Sequence, residues 1–208
     1  ISPAKILTIC QFMETDRPKV DIFVGQGWKC ESSITTIQGY PGYTLICCGT
    51  EDSKSGGIGF ILNPYMSHVW NNTPNKLRII GSQGRMAQIR LNFSSNITNT
   101  LPQNHNSTIQ LTNIYLHGTA NIRKHKEQLD AIEELHHEAE QLEGMLEILL
   151  GDCNSSPGKA LDAQFGVVDP VVGKYGFKYW DELEQEYNFD RDQRAGTMLR
   201  DCCSTCEY

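Results

Sequence analysis

The chain has 208 residues, 39% of them hydrophobic, which is enough apolar material for a sizeable core and excludes global disorder. Its 25 acidic and 18 basic residues give a formal net charge of -7. That argues against a domain gripping nucleic acid mainly by charge, because phosphate neutralisation needs a basic surface, yet it is compatible with a carboxylate-based phosphodiesterase.

Over Ala4–Glu14, Ile6, Leu7, Ile9, Cys10 and Met13 recur at helical spacing. Val20-Asp21-Ile22-Phe23-Val24 reads as a buried strand, and a helix followed so closely by a strand points to a layered α/β domain. Tyr43–Cys48 and the glycine-led run Gly56–Leu62 are the next strands. Leu77–Ile80 and Met86–Phe93 are expected to pair antiparallel through the turn residues Gly81–Gly84. Residues 94–107 are rich in Asn, Ser and Thr and hold Pro102, so a loop or hairpin tip is expected there, followed by a strand at Ile109–Leu116. Asn121–Leu146 is the clearest helix. Leu129, Ile132, Leu135, Ala139, Leu142 and Leu146 make its apolar stripe, and Glu127, Asp130, Glu133, Glu134, Glu138, Glu140 and Glu143 charge the solvated face. Ile148–Leu150 follows as a short buried strand, and after an acidic stretch from Asp181 to Asp192 a last helix is expected over Arg194–Cys203.

The chemistry concentrates in the run Leu149-Leu150-Gly151-Asp152-Cys153-Asn154. Asp152 and Asn154 are two residues apart, which puts them on one side of an extended chain. A carboxylate and an amide then emerge together at the C-terminal end of a strand, where α/β proteins commonly bind ligands. The carboxylate suits Mg²⁺ or proton transfer, and the amide suits a phosphate oxygen. The alternative is an Asx-type turn that merely closes the strand.

The run Gly151-Asp152-Cys153-Asn154-Ser155-Ser156-Pro157-Gly158 resembles the G-D-F/L-N-A-x-x-G signature of the endonuclease/exonuclease/phosphatase family. Asn113-Ile114-Tyr115-Leu116-His117-Gly118 resembles that family's N-V/I-Y-A-P strand end, and Gly56-Gly57-Ile58-Gly59-Phe60 its G-G-V/I-G strand. Val20-Asp21-Ile22-Phe23-Val24-Gly25-Gln26 resembles the strand that normally ends Q-E. Gly173-Lys174-Tyr175-Gly176-Phe177 and Arg194-Ala195-Gly196-Thr197-Met198-Leu199 resemble blocks of the non-LTR retrotransposon (LINE-type) endonucleases. The blocks stand in the family's order along nearly the whole chain, which is taken as a single domain over residues 1–208.

The resemblance implies a two-sheet α/β sandwich with its active site at one end. It implies Mg²⁺- or Mn²⁺-dependent attack of water on a phosphodiester, with DNA as partner and a reverse-transcriptase domain in the parent polyprotein. Tyr115 would contact the phosphate, Asp152 would assist proton transfer, and Asp152 with Asn154 would hold the metal. The chain also departs from the pattern. The family's Glu after Gln is here Gly27, which offers no oxygen ligand, and Glu31 would need a loop rearrangement to replace it. The family's first strand would precede Ile1 and its S-D-H block would follow Tyr208, so an incomplete sandwich is expected. The resemblance therefore implies a degenerate endonuclease; the alternatives are an inactive binding module or decayed element fragment, and a phosphatase or RNA-directed member of the fold.

Other features read as ordinary. The 8 cysteines form no spaced framework, which points to a reducing, intracellular setting, cytoplasmic or nuclear. The sequons at Asn71, Asn92, Asn96, Asn106 and Asn154 arise in Asn-, Ser- and Thr-rich segments. No apolar run is long enough to span a bilayer, and no signal peptide is read at Ile1. His136-His137-Glu138 lies on the acidic helix and is read as solvated, His117 as a structural histidine, and the Cys203–Cys206 pair as neither zinc nor redox site. Arg78, Arg85 and Arg90 could contact backbone phosphate or lie on an outer sheet face, and the outer face is the favoured reading.

Overall fold

A computed structural model describes residues 1–16, 18–50, 56–81, 83–93, 107–117, 121–142, 144–154, 179–181, 186–188 and 202. The chain divides into two units, residues 1–115 with 142–152, and residues 116–141 with 153–208.

In the first unit, α1 (Pro3–Thr15) starts where Ser2 accepts from the Lys5 amide and Pro3 pre-sets the first turn. It is followed by β1 (Ile22–Gln26), β2 (Ser33–Thr36), β3 (Thr44–Cys48) and β4 (Ile58–Leu62). These form one antiparallel sheet in the order β1-β4-β3-β2. Asn63 caps α2 (Pro64–Asn71) through the Met66 amide at 2.8 Å, again with proline in the first turn. The second sheet runs β5 (Leu77–Ile80), β6 (Met86–Phe93), β7 (Ser107–Tyr115) and β8 (Met145–Asp152) in that spatial order. Only its β7–β8 pairing is parallel.

Strand alternation builds the core. Ile46, Cys48, Ile58, Phe60 and Leu62 of the first sheet meet Ala87, Ile89, Leu91 and Leu111 of the second, with Val69 and Trp70 of α2 closing the same cluster. The opposite face of the first sheet carries Leu45, Cys47 and Ile61, covered by Cys10 and Met13 of α1 together with Trp28, Ile37 and Tyr43. Each such side chain contributes roughly 1.5–3 kcal/mol on burial. The first unit is thus a two-sheet α/β sandwich.

In the second unit, α3 spans Ile122–Glu140. Leu129, Ile132, Leu135 and Ala139 are buried along its stripe, and Glu127, Asp130, Glu134 and Glu140 are exposed. Cys202 is buried, and its thiol donates to the Leu129 carbonyl. His125 is fully buried and bonds the His117 carbonyl through Nδ1, while the His117 amide donates to Gln128 Oε1 at 2.7 Å. On the acidic face His137 and His136 pair with Glu140 at 3.2 and 3.7 Å. Strands β9 (Tyr179–Asp181) and β10 (Glu186–Asn188) pair antiparallel.

Several expectations need correction. The helix ends at Glu140 rather than running to Leu146, because Gly144 takes a left-handed φ of 75° and β8 begins at Met145. Leu142 and Leu146 are accordingly 43% and 56% exposed. Strand β8 is longer than expected and is not buried, since it forms the sheet edge and Leu150 is 39% exposed. Strand β1 is likewise a half-buried edge. Strand β2 and helix α2 had no counterpart in the sequence reading. The loop over residues 94–106, the blocks Gly173–Phe177 and Arg194–Leu199 and the Cys203–Cys206 pair lie outside the described residues.

Candidate functional site

The site is set by the register of β7 against β8. Asn113 faces Leu150, Ile114 faces Gly151, and Tyr115 faces Asp152. Partners in a parallel ladder share a sheet face, so Tyr115 and Asp152 leave the C-terminal ends of adjacent strands side by side. Gly151 permits this closeness. A Cβ there would lie 2.0 Å from the Ile114 carbonyl oxygen, a distance no side chain tolerates.

Asn113 stands two residues before Tyr115 on the same face, and it is fully buried. Its Nδ2 donates to the Gly25 carbonyl at 3.2 Å and the Gly59 carbonyl at 3.1 Å, and its Oδ1 accepts from Gln26 Nε2 at 2.8 Å. One amide therefore ties β7 to β1 and β4, across the two sheets. The bond also consumes the Gln26 side chain and directs the chain after β1 toward Tyr115. Gly27 follows at φ 68°, and a Cβ on it would stand 4.0 Å from the Tyr115 hydroxyl. A carboxylate at that position would border the phenol; glycine leaves the space without a charge.

Arg85 completes the group, and it does not lie on the outer sheet face that the sequence reading favoured for it. Its guanidinium carbon stacks 3.9 Å from the Tyr115 ring centroid, and its Nε donates to the Tyr115 carbonyl at 2.8 Å. The Tyr115 amide in turn donates to the Arg85 carbonyl at 2.8 Å. Burial lowers the Arg85 pKa from its ordinary value, while the Tyr115 phenol and the Asp152 carboxylate act in the opposite direction. Gly56, at φ 94°, makes room, since a Cβ there would come within 3.1 Å of Arg85 Cγ. The signal was available in the pairing: Met86 faces Ile114, which sets Arg85 against Tyr115. Arg90 does sit along the strand, bonded to Gln110 Oε1 at 3.0 Å, and Arg78 is exposed.

Tyr115, Asp152, Gln26 and Gly27 are thus brought together in the first unit. Asn154 belongs to the second unit, where it is exposed with a left-handed φ of 46° and its Nδ2 donates to the Leu116 carbonyl at 2.9 Å. That bond joins residues 38 apart and is not a local Asx turn. Among the described residues no group of three His, Cys, Asp or Glu side chains lies close enough to hold a metal ion. Among the described residues the donors at Tyr115 are one carboxylate and one phenol beside a guanidinium. This set offers a divalent cation a single carboxylate, so most of the oxygen ligation of Mg²⁺ or Mn²⁺ would come from substrate and water. A groove of about 600 Å³ elsewhere in the first unit is lined by Ile6, Leu7, Ile37, Tyr40 and Leu45 and by none of these residues. No helix among the described residues is long and apolar enough to cross a membrane.

No family profile matches the chain, and no curated protein matches it. Among solved structures it is similar to a 3'-5' exonuclease, NExo, from Neisseria meningitidis, at 14% identity and a TM-score of 0.52. The alignment covers 95% of this chain but only 66% of the exonuclease chain. The likeness is one of fold, and this chain has a nuclease-like α/β sandwich fold.

Proposed function

We propose that the first unit carries a degenerate phosphodiesterase site, most like that of a retrotransposon-type DNA endonuclease, which holds a phosphodiester but cleaves it poorly. The observation that carries this reading is the grouping of Tyr115, Arg85 and Asp152 around a position, Gly27, that lacks a side chain. The Tyr115 hydroxyl is a donor for a non-bridging phosphate oxygen, and Arg85 supplies the positive charge that such an oxygen needs. Among the described residues, Asp152 is the acidic group that the strand register sets opposite Tyr115. A divalent cation, when bound, would neutralise charge developing on the phosphate. The side chains present would leave most of its ligation to substrate and water, so it would bind weakly. The resemblance in sequence motifs and the likeness in fold to an exonuclease both support a nucleic-acid ligand. The net charge of -7 favours a weak interaction.

The test is nicking of supercoiled plasmid by the chain in Mg²⁺ or Mn²⁺, beside Asp152→Ala, with binding of a short labelled DNA followed in parallel. The expected result is nicking at background in both proteins, and DNA binding that weakens in Arg85→Leu and Tyr115→Phe. Robust nicking abolished by Asp152→Ala would instead establish an active endonuclease. Absence of DNA binding would remove the binding half of the proposal.

A further inference from the structure

We propose that the outer edge of β2 and the apolar groove beside it form a peptide-binding site. The site takes an uncharged, extended segment as an added strand, with one large apolar side chain seated in the groove. The proposal is independent of the phosphodiesterase reading.

Strand β2 ends the first sheet, and among the described residues its sheet neighbour is β3 alone. The ladder fixes the direction of its backbone groups. The Ile37 amide donates to the Tyr43 carbonyl at 3.3 Å, on the β3 side. Backbone groups alternate sides along a strand, so Thr35 and Ser33 also turn toward β3, opposite Leu45 and Cys47. Ile34 and Thr36 therefore turn their N–H and C=O groups away from the sheet, and both residues are exposed. Edge strands are commonly guarded by lysine, proline or a bulge. Ser33-Ile34-Thr35-Thr36 carries neither residue, and its register with β3 is unbroken.

The groove decides what an added strand must carry. Side chains alternate between the faces of a sheet. Ile34 shares a face with its partner Ile46, which belongs to the core between the two sheets. Thr35 shares the opposite face with Leu45, on the side that α1 covers. The groove of about 600 Å³ lies on this second side, between Ile6 and Leu7 of α1 and Thr35, Ile37 and Tyr40. A strand laid beside β2 turns every second side chain to the α1 side, next to Thr35 and into the groove. None of the residues lining the groove carries a charge. A charged side chain entering it would lose water without gaining a partner. A Leu, Met or Phe would instead exchange water for Ile6, Leu7 and Leu45. The backbone edge thus accepts any extended chain, and the groove selects an apolar one. A second copy of β2 is the poorer occupant, because Ser33 and Thr35 are the side chains it would turn to the groove, while Ile37 is already buried in its own unit.

The experiment is calorimetric titration of the full chain with a short blocked peptide of threonine and serine around one central leucine. The same peptide with lysine in place of leucine is titrated beside it. Expected is binding of the leucine peptide, and binding of the lysine peptide weaker by about tenfold or more. Ile34→Pro removes one outward N–H where the ladder to β3 loses no bond, so Tm is kept. It weakens the leucine peptide about tenfold, the worth of one hydrogen bond. Leu7→Glu sets a carboxylate on the groove wall at an exposed position of α1, and it reverses the preference in favour of the lysine peptide. Where Ile34→Pro lowers Tm, Leu7→Glu decides. No binding of the leucine peptide, equal binding of the two peptides, or an unchanged preference in Leu7→Glu overturns the proposal. So does unchanged binding by a folded Ile34→Pro. A wild-type dimer in sedimentation that Ile34→Pro turns into monomer also overturns it, since the edge then belongs to a second copy.

Discussion

Asn113 is the residue whose loss should cost the first unit most for the fewest atoms removed. Asn113→Ala deletes three hydrogen bonds, to Gln26, Gly25 and Gly59, at a position with no exposure to solvent. At about 1 kcal/mol for each, with the Gln26 amide left without this acceptor, the loss is about 3 kcal/mol. For a domain of this size that corresponds to a fall in Tm of roughly 12 °C. Calorimetry or circular dichroism on the variant gives the number, and denaturant unfolding gives it independently. Asn113→Leu, of similar volume, should be destabilised nearly as much, because the polar groups around it stay buried while their partner is gone. A fall below about 3 °C in both variants would show that the bridge between the sheets is not an important source of stability, and the placing of Gln26 and Gly27 by Asn113 would go with it.

Three further outcomes follow from named contacts. Gly59→Ala sets a methyl 2.1 Å from the Trp28 ring and 2.6 Å from the Ile46 carbonyl, so overpacking should cost about 1–3 kcal/mol and shift tryptophan emission to longer wavelength as Trp28 is displaced; unchanged emission and Tm would contradict the seating of the indole. Arg85→Leu loses the cation over Tyr115 and the bond to its carbonyl; together these should cost about 2 kcal/mol in chemical denaturation, and Arg85→Lys should recover only part of it because it cannot present the Nε donor. Gly27→Glu must adopt φ near 68°, which costs about 1–2 kcal/mol, and it should leave plasmid nicking at background, since one added carboxylate does not supply the water-activating base; nicking restored by this change alone would show that the metal ligand was the sole deficiency.

The sequence disclosed what is periodic and concealed what depends on pairing. Strands β3, β4, β6 and β7 were readable because their apolar runs fill a core on one or both faces. Strand β2, Ser-Ile-Thr-Thr, was not, since every residue of it is exposed and only its partner β3 makes it a strand. The C-terminal end of α3 was misjudged because Leu142 and Leu146 continue its spacing, although the left-handed Gly144 stands between them. At the site the difference is sharper. Tyr115 and Asp152 could be named from motifs because each ends its own strand. A phosphate contact for Arg85 was one of two readings and not the favoured one, since its setting comes from a residue 30 positions away that only strand register brings opposite it.

The motif letters also divide by physical role. Asn113, Gln26 and Gly151 hold the frame: a bridge between sheets, its acceptor's partner, and a close approach of two strands. Tyr115 and Asp152 stand at the strand ends, and the Tyr115 ring also packs against the core. Gly27 lies outside the frame. It is exposed, and a side chain there would meet nothing closer than the Tyr115 hydroxyl at 4.0 Å. A carboxylate at this position therefore supports no buried contact, and its absence costs the fold nothing. The frame can thus stand without a carboxylate at this position, and stability measurements on Asn113→Ala and nicking by Gly27→Glu probe frame and site separately.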